Sequence, residues 1–254
     1  MASLTPPRTV PPRPAGGRPV VGFDLDMTLI DSRPGIHAAY RALSAETGVY
    51  VDADLAVSRL GPPLEEELAV WFPQEQVAAT GERYREIYPT FAIEPTLAMP
   101  GAREAVEAVR ALGGTAVVVT AKHQPNAELH LAHLGIEPDA VVGGLWAEGK
   151  AEALRAHGAS VYVGDHTGDV RGARAAACLS VAVPTGPCDE GELRAAGADV
   201  VLADLTAFPA WLLGYARGAA DASASEGTPA SGDAPDAESG AETGAETDAE
   251  NDVA

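Results

Sequence analysis

Val20 to Asp31 read VVGFDLDMTLID, and the fold turns on this stretch. Val20–Phe23 is short and apolar throughout, and Asp24, Asp26 and Thr28 follow it at alternate positions. A run without polar alternation suits a strand covered on both faces. The same character recurs in TAVVVT (Thr115–Thr120), AVVG (Ala140–Gly143), SVYVG (Ser160–Gly164), SVAV (Ser180–Val183) and DVVL (Asp199–Leu202). Between the runs, segments such as NAELHLAHLG, KAEALRAHG and DVRGARAAA carry helical spacing. This alternation predicts an α/β fold built on a doubly wound parallel sheet.

One stretch breaks the alternation. Residues 33–97 contain no convincing strand but several amphipathic candidates, GIHAAYRALSAETG, DADLAVSRL, PLEEELAVWF and QEQVAATGERYREIY, with Pro62, Pro63 and Pro73 at their starts or stops. The stretch is too long for a simple connection. It predicts a helical cap domain over 33–97, inserted into an α/β core domain formed by 19–32 and 98–217.

The chain ends differ from this middle. Residues 1–18 read as a disordered Pro-rich leader without the apolar segment of a secretory signal. Residues 218–254 hold ten of the 37 acids and no base, so half of the formal charge of -20 lies there. With no aromatic residue and one branched aliphatic, Val253, the segment reads as a disordered acidic tail, either a solubilising extension or a partner-binding arm. The acidic balance argues against a nucleic-acid partner. No apolar run is long enough to span a bilayer, which argues against a membrane partner. Two cysteines without a signal peptide suit a reducing cytoplasm.

In an open α/β sheet, ligands bind at the carboxyl ends of the strands. Asp24, Asp26, Thr120, Asp165 and Asp169 stand just past such ends, and Lys150 begins the helix before the fourth run. Carboxylates about 4 Å apart repel by roughly 4 kcal/mol at an effective dielectric near 20. A hard divalent cation relieves this, and an all-oxygen set favours Mg²⁺. Lys150 would balance a nucleophilic carboxylate and an incoming phosphoryl group, and the Thr120 hydroxyl would bind phosphate oxygens. The set suits phosphoryl transfer through an aspartyl-phosphate, in which one carboxylate attacks phosphorus and another serves as acid and base.

With DLDMT at Asp24–Thr28, VVVT ending at Thr120, Lys150 in EGKAEAL and GDHTGD at Gly164–Asp169, the chain resembles the haloacid dehalogenase superfamily. Within it the chain is most similar to phosphoglycolate-phosphatase-like hydrolases with a helical cap. The resemblance implies Asp24 as nucleophile, Asp26 as general acid and base, and Thr120 and Lys150 as phosphate and charge stabilisers. It further implies Mg²⁺ bound by Asp24, Asp165 and the Asp26 carbonyl, with Asp169 acting directly or through water. The implied substrate is a small phosphorylated metabolite, phosphoglycolate among the candidates. Met27 departs from the usual Gly before the Thr, and Ala121 from a common polar residue. Asp26 favours phosphate esters over halides, because the dehalogenase branch lacks that carboxylate. A phosphomutase or phosphotransferase shares the motifs, and a non-catalytic phosphate-binding regulatory module is the reading from outside enzymology.

Other residues have simpler readings. Lys122, His123 and His166 read as bystanders, Asp31 as a helix cap, and Trp71, Phe72, Trp146 and Trp211 as packing. Arg33, His37, Arg41, Arg59, Arg83 and Arg85 are the cap's candidates for an anionic substrate group.

Overall fold

A computed structural model describes residues 18–226. The leader reading, apart from Arg18, and the tail reading beyond residue 226 lie outside the described residues. In chain order the elements are β1 (Val20–Phe23), β2 (Ile30–Asp31), α1 (Arg33–Thr47), α2 (Ala53–Val57), α3 (Leu64–Trp71), α4 (Gln74–Ala92), β3 (Leu97–Ala98), α5 (Ala102–Ala111) and β4 (Thr115–Val119). There follow α6 (Gln124–Leu134), β5 (Ala140–Val142), α7 (Lys150–Ala156), β6 (Val161–Gly164), α8 (Thr167–Ala175), β7 (Leu179–Ala182), α9 (Glu190–Ala196), β8 (Val200–Val201) and α10 (Phe208–Glu226).

Six strands form one sheet in the order β5-β4-β1-β6-β7-β8. Every pairing in it is parallel. Alternate residues of each strand serve opposite faces. Val21, Phe23, Val118, Val161 and Val163 pack with Val106 and Val109 of α5, Leu131 of α6 and Phe208 of α10. Val117, Val119 and Tyr162 pack on the other face with Leu154 of α7 and Ala173 of α8. Both faces are thus apolar, which is why the strands read as unbroken apolar runs. Strand β1 lies between β4 and β6, so its carboxyl end opens at the point where the winding reverses.

Helices α1 to α4 enclose a separate apolar core that includes Leu43, Leu68 and Val77. In that core the tilted rings of Tyr40, Tyr84 and Tyr88 pack with centroids 4.9 and 5.5 Å apart. Pro63 and Pro73 sit at the N-caps of α3 and α4. Both connections to the sheet run through a short antiparallel ribbon, Ile30 opposite Ala98 and Asp31 opposite Leu97. Two residues per strand are too few to show an alternation, and sequence reading misses the ribbon. Where α1 begins, Gly35 lies so close to the Ala92 carbonyl that any Cβ would collide with it.

Two boundaries move. Helix α4 continues through Pro89 to Ala92 rather than ending near Tyr88. Helix α10 runs to Glu226, past residue 218 where the acidic tail is expected to begin; its alanines favour helix over coil.

Candidate active site

Strand ends β1, β4 and β6 meet beneath α1 to α4. Asp24 follows β1, with its amide donating to the Val163 carbonyl at 2.8 Å. Asp165 follows β6, and Asp169 lies in the first turn of α8. Asp24, Asp165 and Asp169 are all buried, and each offers an oxygen within 4.8 Å of the others. Asp165 accepts from the Thr28 hydroxyl at 2.8 Å, and Asp169 accepts from the His166 amide at 3.0 Å. Asp169 packs directly on Gly164, where a side chain would displace the carboxylate.

Lys150 serves these acids from below. Its Nζ lies 2.6 Å from Asp169 Oδ1 and 3.0 Å from Asp24 Oδ1, and donates to the Tyr162 hydroxyl at 2.8 Å. That hydroxyl in turn donates to the Val119 carbonyl at 2.6 Å. Lys150 is completely buried behind the residues that line the cavity, and its ammonium lies against carboxylates. Its short reach from the first turn of α7 ends inside the acid cluster.

The four carboxylates expected at one point resolve into a trio and a pair. Asp26 stands apart, its Oδ1 2.9 Å from Lys122 Nζ. The ammonium of Lys122 lies 4.8 Å from the Tyr88 ring centroid, and the Tyr88 hydroxyl meets His130 Nε2 at 2.9 Å. Lys122 is therefore part of the site and not a bystander. Thr120 is buried at the end of β4 and its hydroxyl accepts from the Lys122 amide at 3.2 Å.

Electrostatics follow the same division. Burial, reinforced by Asp169 and Asp26 and opposed by Lys150, pushes the Asp24 carboxyl up to about 7. Asp165 is driven well above the carboxylate range by burial and then by its neighbours Asp169 and Asp24. Burial alone would raise Asp26, but Lys122 together with the Ser32 hydroxyl and His130 outweighs it and holds the group below its ordinary value. Burial, then Lys122, pulls His130 down to about 3. Three carboxylates against one ammonium leave an excess of negative charge, with the buried Asp24 Oδ1 and Asp169 Oδ1 sharing the single Lys150 ammonium. An all-oxygen, over-charged cluster of this kind fits a hard divalent cation such as Mg²⁺.

A cavity of about 750 Å³ separates these strand ends from the helices above. Its lining includes Asp24, Asp26, Thr120, Ala121, Lys122 and His123 from the sheet side, and Arg59 and Arg85 among the six basic candidates of 33–97. Trp146 also lines it, packed against His166 at 5.0 Å between centroids, so this ring is more than core filling. His166 Nδ1 accepts from the Gly168 amide at 2.9 Å and caps α8. Asp31 holds Arg33 at 2.7 Å instead of providing the N-cap, which is Ser32. Met27, standing where Gly is usual, has φ +61° and is buried.

The family profile of haloacid dehalogenase-like hydrolases matches residues 21–174. The chain belongs to the haloacid dehalogenase-like hydrolases. Among relatives of this hydrolase, a protein named tyrosine-protein kinase PtkA from Mycobacterium tuberculosis is 32% identical over 182 residues, covering 66% of this chain and 62% of that one. The hydrolase thus spans less than two thirds of that relative's length. A phosphoglycolate phosphatase from Chromobacterium violaceum is 30% identical over 204 residues, covering 72% of this chain and 90% of the other. Among solved structures, a haloacid dehalogenase-like hydrolase from Streptococcus pneumoniae superposes with TM-score 0.67 at 25% identity, covering 78% of this chain and 97% of that one. The hydrolase therefore has the Rossmann-like core and helical cap of this family.

Proposed function

We propose that this phosphatase hydrolyses a small phosphate monoester with Mg²⁺, through an aspartyl-phosphate on Asp24. The observation that carries the reading is Asp24 itself, a buried carboxylate at the tip of β1 that lines the cavity and has its Oδ1 3.0 Å from the Lys150 ammonium. In the first step an Asp24 oxygen bonds to phosphorus, the ester P–O bond breaks, and Asp26 gives its proton to the leaving oxygen. In the second, Asp26 takes a proton from water, the water oxygen bonds to phosphorus, and the Asp24–phosphorus bond breaks to release phosphate. Lys122 stabilises the Asp26 anion between the steps. The Thr120 hydroxyl donates to a phosphoryl oxygen. Lys150 keeps Asp24 and Asp169 compatible as anions, so its part in catalysis is to hold the nucleophile in its charged form.

Asp24, Asp165 and the Asp26 carbonyl would hold Mg²⁺, with Asp169 acting directly or through water. When bound, the cation would neutralise the excess charge and polarise the phosphoryl oxygens. Residues 33–97 act as a cap that excludes water from a core formed by 19–32 and 98–217. Cys178 and Cys188 are both buried thiols, in keeping with a cytoplasmic setting, and Cys178 Sγ donates to the Ala159 carbonyl at 3.1 Å. No helix among the described residues is long and apolar enough to cross a membrane.

Phosphate release from p-nitrophenyl phosphate with Mg²⁺, with EDTA, and by Asp24→Asn tests the mechanism; activity that survives both the chelator and the substitution refutes it. The name of the mycobacterial relative favours a second reading, transfer to a hydroxyl acceptor in place of water. Product analysis separates the two, since transfer yields a phosphorylated acceptor and hydrolysis yields free phosphate.

A further inference from the structure

The cavity above Asp24 has walls whose charge bears on the leaving group. Two arginines reach it from α1 to α4 and the loops between them, and both are occupied. Arg59 holds Glu67 through Nη2 at 2.5 Å and Nε at 3.1 Å, while Glu67 also accepts from Trp71 Nε1 at 2.8 Å. Arg85 pairs with Glu65 and, at 3.0 Å, with Glu82. Glu65, Glu67 and Glu82 all line the cavity, and Glu66 adds a fourth carboxylate. Four carboxylates against two guanidiniums make this wall net negative.

On the floor, the Lys122 ammonium is held by Asp26 and lies against the Tyr88 ring. The remaining wall offers rings, from Tyr40, Tyr84, Tyr88 and Trp146. At about 750 Å³ the space falls in the range that encloses drug-sized ligands. An ester as small as phosphoglycolate would leave most of it to water, and its carboxylate would face glutamates with no uncommitted arginine to receive it.

We propose that the leaving group of the substrate is a ring-sized alcohol that is neutral or cationic and carries no carboxylate or second phosphate. This deepens the phosphatase reading and rests on it. The rings supply apolar contact to a flat or cyclic group. The glutamates accept from its hydroxyl or amino hydrogens, and they repel a second anion.

The test uses benzyl phosphate with para substituents, which varies charge while keeping the leaving alkoxide nearly constant. Phosphate release by the full chain with Mg²⁺ is measured for benzyl, 4-(aminomethyl)benzyl and 4-carboxybenzyl phosphate, for phosphoglycolate, and for p-nitrophenyl phosphate. The expected result is a kcat/KM for benzyl and 4-(aminomethyl)benzyl phosphate at least tenfold above that for 4-carboxybenzyl phosphate and phosphoglycolate. Equal or faster turnover of either carboxylated ester overturns the proposal while leaving the phosphatase reading intact. No turnover of any ester, p-nitrophenyl phosphate included, removes the phosphatase reading and this proposal with it. Glu66→Lys, at an exposed position on the wall, is expected to raise 4-carboxybenzyl relative to benzyl phosphate at least threefold; an unchanged ratio refutes the role of wall charge.

Discussion

Replacing Lys150 by Met keeps most of the buried stem and removes only the ammonium. The charge it removes lies 2.6 Å from Asp169 and 3.0 Å from Asp24, with no exposure to water. At an effective dielectric near 20, each contact has a gross attraction of roughly 6 kcal/mol. Much of that offsets the desolvation of the three groups, and breaking a buried pair typically costs about 3–5 kcal/mol. Protonation limits the loss, because Asp24 already titrates at about 7 and moves higher without the lysine. The cost is therefore expected near the lower bound, about 3 kcal/mol at pH 8, and smaller at pH 6. For a protein of this size that is a fall in Tm of roughly 6–12 °C. Thermal unfolding in EDTA at pH 6 and pH 8, followed by circular dichroism, measures it. A Tm within about 2 °C of the parent at pH 8, or a deficit that shrinks as pH rises, would refute the reasoning.

Asp24→Asn abolishes turnover, yet stabilises the metal-free protein. The folded pKa of about 7 lies above the ordinary 3.8, so the parent is most stable below about 4, loses stability as pH rises to about 7, and is level above; urea titrations in EDTA should show the advantage of the variant growing over that window to roughly 4 kcal/mol. Lys122→Met removes the cation that holds Asp26 low, so the acidic limb of the kcat profile moves to higher pH; an unmoved limb would show that Asp26 is not the group it reports. Met27→Gly relieves a left-handed backbone strain of about 1 kcal/mol but empties a buried site worth roughly 2–4 kcal/mol, so chemical denaturation should show a net loss of about 1–3 kcal/mol.

The sheet was legible because its chemistry is local. Val20–Phe23 and Thr115–Val119 are buried on both faces, and that condition shows in every residue of the run. Asp24, Asp165 and Asp169 were legible for a related reason: strand ends of a parallel sheet converge, so residues just past apolar runs meet whatever the intervening sequence contains. The ribbon Ile30–Asp31 with Leu97–Ala98 carries no such mark, since its pairing depends on where the four helices return the chain.

Lys122 shows where this reasoning stopped short and what could have extended it. Strands β1 and β4 are parallel neighbours, with Phe23 opposite Val118, so positions beyond their ends run side by side. Asp24 and Asp26 are two residues apart, and so are Thr120 and Lys122. The step that paired the first carboxylate with the second applies equally to the neighbouring strand, and it puts an ammonium beside Asp26. Tyr162 carries a comparable signal: a phenol in an otherwise aliphatic buried strand must find a partner for its hydroxyl, and it does so between Lys150 and the Val119 carbonyl. Tyr88 and His130 carry none. Their contact joins α4 to α6 across 42 residues and exists only because the cap sits where it does, so the partners of Lys122 on that side follow from tertiary placement alone.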